Sequence, residues 1–402
     1  MKSYPVVIVL LTVTILFGCS KNEDILQTAD ETDIFFLAKK SVEEMLSSIE
    51  CATKGETERT IESYWIKEIN TKIKGSDDKA HCLYVFNFKN NEGFSIVSSD
   101  PEKGLLALSF SGTLKEGAPI DNPGLKVVLD NLEAYAEMPA RVDSIEYFVY
   151  GPWVATTIYP QSRGYCEVKW NQGYSTSQHY YNEYCRDVNG NYCPAGCVAV
   201  AVGQLMAIYK YPSTYNGYIF DWDAMVASAA AQNNSGDYYV ARLFQQLGLP
   251  GNLNMNYSTS GSSSSIFYAP QTLAAFGYTN GGVYDLFDTS SWNELINGYP
   301  ILMRGQSSTS GGGHAWLAHG ILKATREIQG CNINGEPMFY EYESKYFVLC
   351  NFGWGGAADG YYAIDAFSPV SGPVFQDPVS PSTTLGGYSF PYDIYSIRNI
   401  RL

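Results

Sequence analysis

The polar and apolar positions of this chain fall into two regimes. In the first, Phe35, Ala38, Val42, Leu46 and Ile49 recur at helical spacing behind the cap candidates Asp30 and Asp33, which predicts an amphipathic helix. Short apolar runs follow at Leu83–Phe88, Phe94–Val97 and Leu105–Phe110. They are separated by turn clusters at Asn90-Asn91-Glu92-Gly93 and Ser99-Asp100-Pro101, so they read as strands. A second helix is predicted over Pro123–Ala134. The second regime begins with Val198–Tyr211, apolar almost all round and stopped by Pro212, which predicts a buried helix. Further on, Ala315–Leu322 reads as a strand. Tyr346–Leu349 and Asp359–Asp365 read as two more, flanking the turn Cys350-Asn351-Phe352-Gly353-Trp354-Gly355-Gly356.

Composition divides the chain at the same place. Only 6 of its 32 tyrosines and 1 of its 7 tryptophans lie in residues 1–150, which separates two units of different character. With 402 residues, 45% of them hydrophobic, each unit is long enough for its own core. Residues 151–164 carry Pro152 and Pro160 and read as a linker or processing stretch. A net charge of −15 with no basic run beyond the N-terminus argues against nucleic acid as a partner.

Residues 1–19 are a targeting segment. Lys2 precedes the apolar run Val6–Phe17, which is short against the roughly 20 residues of a membrane span. It ends in Leu16-Phe17-Gly18-Cys19, which resembles a bacterial lipoprotein signal. Cys19 would then be the lipidated N-terminus of an exported chain, attached to the outer membrane by lipid alone, and Ser20–Asp24 resembles the short acidic tags that send some lipoproteins to the outer face of that membrane. Export permits disulfides, and one bridge among Cys166, Cys185 and Cys193 is expected from their proximity.

The candidate chemistry lies in the second unit. Pro194-Ala195-Gly196 turns into Cys197 at the start of the buried helix, where the macrodipole favours a thiolate. Gly311-Gly312-Gly313 precedes His314 at the mouth of a strand, a second place where backbone and substrate can approach closely. A thiolate and an imidazolium brought together by the fold make a nucleophile and its acid–base partner. His319, five residues on, falls on the opposite face of a strand and reads as a core or surface histidine, and His179 has no supporting motif. Gln172, in Trp170-Asn171-Gln172-Gly173, offers a side-chain amide which, with the Cys197 backbone N–H, would form an oxyanion hole. Asn351 or a neighbouring aromatic ring would orient the imidazole. Cys193 and Cys197 have no nearby histidine pair, so no metal site is expected and no cofactor is required.

The order Asn-Gln-Gly, Gly-Cys opening a helix, Gly-His-Ala and Asn-aromatic-Gly-Trp-Gly-Gly resembles the papain-like cysteine peptidases, and within them the streptopain family. The matching residues are Ala195–Ala199, Gln204-Leu205-Met206 and Tyr211-Pro212, and the likeness spans about residues 165–400. The Gly93–Ser98 run resembles that family's inhibitory propeptide. The resemblance implies an α+β fold: a papain-like two-lobed peptidase domain over 165–402, one lobe helical and one antiparallel β, preceded by a small α+β propeptide domain over 20–150. It further implies an endopeptidase acting on protein substrates and made as a zymogen, with its own propeptide as intramolecular inhibitor. Cys197 would be the nucleophile, His314 the general base and acid, and Gln172 the oxyanion donor. Trp354 would wall the site, and loops within 255–315 would shape a hydrophobic pocket beside the scissile bond. The family's Trp-Gly-Trp turn stands here as Phe352-Gly353-Trp354, which leaves Asn351 and Phe352 as alternative orienters of His314. Two rival classes share part of this pattern. Transglutaminase-like or peptidoglycan amidase folds also open a helix with cysteine but lack the Gly-Trp-Gly-Gly turn. A catalytically inactive surface lipoprotein that binds host protein or glycan would not need Cys197, His314 and Gln172 together.

Overall fold

The computed structural model describes residues 31–53, 59–69, 81–138, 147–159, 166, 168–173, 181–231, 235–307, 313–331, 336–367 and 392–402. The expected targeting segment with Cys19, the expected processing stretch beyond residue 159, and His179 lie outside the described residues.

The first regime contains the two helices and three strands that its pattern predicts, and adds strands at 61–69 and 147–150. Helix α1 (Glu31–Thr53) buries Ala38, Val42, Met45, Leu46 and Ile49 on one face. Strands β1 (Ile61–Ile69), β2 (His81–Phe88), β3 (Phe94–Ser98) and β4 (Leu105–Ser109) form an antiparallel meander. Helix α2 (Pro123–Ala136) starts at Asn122, whose Oδ1 accepts from the Gly124 and Leu125 amides at 3.0 and 3.1 Å. Pro123 in the first turn needs no partner for the donor it lacks. Strands β5 (Tyr147–Tyr150) and β6 (Val154–Tyr159) come next. The expected linker over 151–164 is thus corrected for its first half. Its threonines and β-branched residues pair antiparallel with residues 321–325, and Trp153 is buried beside them.

The second regime supplies α3 (Cys197–Tyr209), the short ribbon β7 (Thr214–Tyr215) and β8 (Tyr218–Ile219), then α4 (Trp222–Ala231), α5 (Ser235–Gly248) and α6 (Ala269–Ala275). After them come β9 (Asn280–Leu286), α7 (Thr289–Ile296), β10 (Ile301–Ser307), β11 (Gly313–Cys331), β12 (Pro337–Asn351), β13 (Gly360–Ala363) and β14 (Tyr392–Arg401). One large antiparallel sheet runs β1-β2-β3-β4-β13-β12-β11-β10-β14-β9, with β5 and β6 also paired to β11.

Two separate domain cores were expected, and the chain is divided differently. Strand β4 pairs with β13, Ser109 opposite Gly360 and Ala107 opposite Tyr362, so the N-terminal meander continues the sheet of the C-terminal unit. One core then mixes the two units: Phe86, Leu106 and Val128 pack with Trp316, Phe347 and Tyr362. The other is the helical lobe, where Trp170, Val202, Leu205, Phe244 and Leu273 surround α3. Strand β11 serves both through its period of two. Ala315 and Leu317 face the helical core, while Trp316 and Ala318 face the shared one. Two buried cations of the sheet tie down the turn before β4. Arg326 donates to the Glu102 carbonyl at 2.9 Å and pairs with Glu343, and Lys345 donates to the Lys103 carbonyl at 2.6 Å.

Candidate active site

Cys197 is the first residue of α3. Gly196 before it has φ 91°, a backbone that residues with a side chain rarely adopt, and a Cβ there would run into Met255. Val198 through Ala207 are all buried, so this helix is the axis of its lobe and holds the thiol rigidly. Burial by itself raises the thiol pKa. The charge and hydrogen bond of His314, together with the Ala315 and Val198 backbone amides, outweigh it and bring the pKa below the ordinary thiol value. The structure therefore joins the start of α3 to the start of β11, from opposite lobes.

Gln172 reaches the same place through its backbone. Its carbonyl accepts from the Ala195 amide at 3.0 Å, two residues before the thiol. The turn that carries it is closed by Asn171, whose Oδ1 accepts from Gly173 N at 2.7 Å.

His314 is 5% exposed, and its Nε2 is buried without a hydrogen-bond partner. The first turn of α2 covers it. A Cβ built on Gly124 would lie 2.7 Å from His314 Cδ2, 2.7 Å from Phe352 Cδ1 and 3.3 Å from His314 Nε2. Only a residue without a side chain lets the helix approach that closely.

Of the two alternative orienters, Phe352 is the one beside His314. Its ring is 1% exposed and packs on Trp316 and Tyr362, with centroids 5.9 and 5.5 Å apart. Asn351 is spent elsewhere. Its Oδ1 accepts from Gln204 Nε2 at 2.7 Å and Gly353 N at 3.0 Å; its Nδ2 donates to Val168 O at 2.8 Å and contacts Cys166 Sγ at 3.8 Å. That uses the whole donor and acceptor capacity of the amide. Asn351 thus rivets α3 to the sheet. Asn351→Ala is expected to cost about 1–3 kcal/mol of stability by leaving buried partners unpaired, while Cys197 keeps its low alkylation pH. A thermal melt and an iodoacetamide pH profile check the two halves.

Trp354 is half-buried against the shared core, with an unpartnered Nε1. The turn it sits in docks on the Gln172 segment, Gly355 N donating to Trp170 O at 3.1 Å. Two participants were not singled out from the sequence. Asp359, whose pKa is pushed up to about 7 by burial, accepts from Phe352 N at 3.0 Å and so holds the turn. Gln204 was noted only as a motif residue; its place two helical turns after Cys197 was the available signal for its inward direction.

His319 is a core histidine. It accepts from Cys166 N at 3.1 Å, and burial lowers its pKa to about 3, so it stays neutral. The expected bridge among Cys166, Cys185 and Cys193 is not formed; all three are free thiols. Cys166 is turned instead to the Gln204 carbonyl and Asn351.

Residues 170–362 match the model of the Peptidase C10 family, an interval that holds all of these motifs. The chain is a streptopain-like cysteine peptidase. It is 23% identical over 366 residues to streptopain of Streptococcus pyogenes, covering 77% of this chain and 80% of that one. It is 21% identical to the thiol protease/hemagglutinin PrtT of Porphyromonas gingivalis, over 74% of this chain and 35% of that longer one. A solved fragment of prointerpain A from Prevotella intermedia shares the fold, with a TM-score of 0.51 and 21% identity over 85% of this chain and 99% of the fragment.

Proposed function

We propose that the chain is an exported, lipid-anchored endopeptidase made as a zymogen, with Cys197 and His314 as its catalytic pair. The observation that carries this is the thiol of one lobe meeting the imidazole of the other and being acidified by it. In the reaction, the Cys197 thiolate attacks a peptide carbonyl. The carbonyl oxygen takes up negative charge and is held by the Gln172 amide and the Cys197 N–H. His314 gives its proton to the leaving amine, then takes one from the water that cleaves the thioester. Trp354 walls the site, and Phe352 keeps the imidazole in place by packing.

Residues 20–150 are the inhibitory propeptide in this reading. Support comes from the cover that α2 lays on His314 and from the continuity of β4 with β13. Cys19 is the lipidated N-terminus, which places the protein at the outer membrane until processing frees the peptidase. Gln172→Ala tests the oxyanion assignment. It should lower kcat by about 10²- to 10³-fold and leave the rate of Cys197 alkylation by iodoacetamide unchanged. Full activity in that variant would remove Gln172 from the mechanism.

A further inference from the structure

Beside His314, on the strand that pairs with it, stands a cation that the peptidase mechanism does not use. Arg304 lies on β10 directly opposite Ala315, the residue whose backbone touches the Cys197 thiol. It therefore belongs to the face of the sheet that carries Ala315 and Leu317 toward the helical lobe. Its guanidinium runs along the residue before His314: a Cβ built on Gly313 would lie 3.1 Å from Arg304 Nε and 3.5 Å from Nη2. A cation is thus held within one residue of the imidazole.

Its surroundings shape a subsite. Tyr395 opposes Arg304 on β14, and Tyr284 stacks on Tyr395 with ring centroids 5.1 Å apart and planes 9° apart. Arg304 Nη1 donates to the Tyr284 hydroxyl at 3.3 Å. Phe267, 59% exposed, lies 4.2 Å from Tyr284 and extends the aromatic wall toward solvent. Among the described residues no carboxylate comes within ion-pair distance of Arg304. The nearby Asp285 is turned to Arg398 at 3.4 Å. A half-buried guanidinium with one neutral partner keeps most of its planar donor fork free, and that fork fits a carboxylate in two-point contact.

We propose that Arg304 is a specificity-determining residue, and that the subsite it forms with Tyr284, Tyr395 and Phe267 takes an acidic side chain of the substrate close to the scissile bond. This rests on the peptidase reading and departs from the hydrophobic pocket implied by family resemblance. The rings shield the ion pair from water on one side, and Gly313 leaves the approach to the guanidinium open.

The test is a set of fluorogenic peptides in which Glu, Gln, Leu and Lys are placed in turn at the three positions on each side of the cleaved bond. The enzyme is the processed protein obtained from the full chain. The expected result is one position at which Glu exceeds Gln in kcat/KM by about ten- to a hundredfold. That ratio falls toward one in Arg304→Gln, is partly kept in Arg304→Lys, and turns in favour of Lys in Arg304→Glu. In the unchanged enzyme it is also lost as the peptide carboxyl protonates, near pH 4.3. Cys197 alkylation rates show that each variant is folded. Equal rates for Glu and Gln at every position, or a Glu preference that survives in Arg304→Gln, would overturn the proposal. A processed protein that alkylates at Cys197 yet cleaves none of the peptides nor casein would overturn the peptidase reading and this subsite with it.

Discussion

Replacing His314 with alanine is expected to drive the alkylation midpoint of Cys197 upward, past the ordinary thiol value, and to cut peptide hydrolysis by about 10⁴-fold or more. The direction follows from two other buried thiols in the same protein. Cys185 is pushed up to about 12 by burial, and burial drives Cys350 up as well. Cys197 is partly buried and its thiol is desolvated too, yet its pKa is lowered, because the His314 charge and hydrogen bond oppose the desolvation. With the imidazole gone, only the Ala315 and Val198 backbone amides still oppose burial. A thiolate favoured by a lowered pKa persists as pH falls to that lowered value; in His314→Ala it should vanish at a pH where the unchanged protein still reacts. The hydrolysis loss is larger than the ionisation change alone, since the leaving amine also loses its proton donor. Iodoacetamide rates across pH, alongside casein hydrolysis, measure both effects. An unmoved alkylation profile would mean that the pair is not coupled.

Gly124→Val is expected to weaken the hold of the N-terminal unit on the site and to shorten the half-time of self-processing by about fivefold or more. The Cβ position already lies 2.7 Å from both the His314 and Phe352 rings. Phe352 is fixed between Trp316 and Tyr362, so the rings cannot withdraw and α2 must. Overpacking of this kind costs about 1–3 kcal/mol, which converts to roughly five- to more than a hundredfold in the covered-to-uncovered ratio. Gly124→Ala should act in the same direction and less strongly. The rest of the unit resists release, because β4 is hydrogen-bonded to β13 and Phe86, Leu106 and Val128 are shared core. The variant therefore opens the site before it frees the unit. Faster iodoacetamide labelling of uncut Gly124→Val, ahead of any mass change, would show that order. Slower processing would contradict the cover.

Much of this arrangement was legible where the signal is local. The α1 face, the two turns between β2, β3 and β4, and Pro123 at the start of α2 are short-range patterns, and the elements lie where those patterns place them. The apolar run after Cys197 could be read as a helix because it is buried on every side. What escaped the reading depends on partners distant in sequence. Strand β6 is flanked by prolines and looks like a linker until β11 pairs with it. The outer half of β11, beyond Leu322, carries Lys323, Arg326 and Glu327 and has no continuous apolar run, yet it pairs with β12 along its length. The division of the cores follows from β4 meeting β13, a pairing across about 250 residues that no composition window can register. In the site, Cys197, His314 and Gln172 stand out by motif. Gly124 does not, because its meaning lies in the close approach of a helix from the other end of the chain. Asn351 was visible as a polar residue in a motif, but only its four contacts show that it serves the joint between the lobes.

The most direct test of the central claim, a Cys197–His314 site held covered by the chain's own N-terminal unit, is a time course of intact mass and casein cleavage. It compares residues 20–402 with the same chain carrying Cys197→Ala, in reductant. The account predicts that the first sheds its N-terminal unit near residues 150–165 and gains activity as it does so, while the second stays whole and inert. Activity already complete in the uncut chain would contradict the cover. If both chains stayed whole and inactive, even after an added protease had cut near residue 160, the catalytic assignment would fail, and an inactive binding scaffold would be the better description.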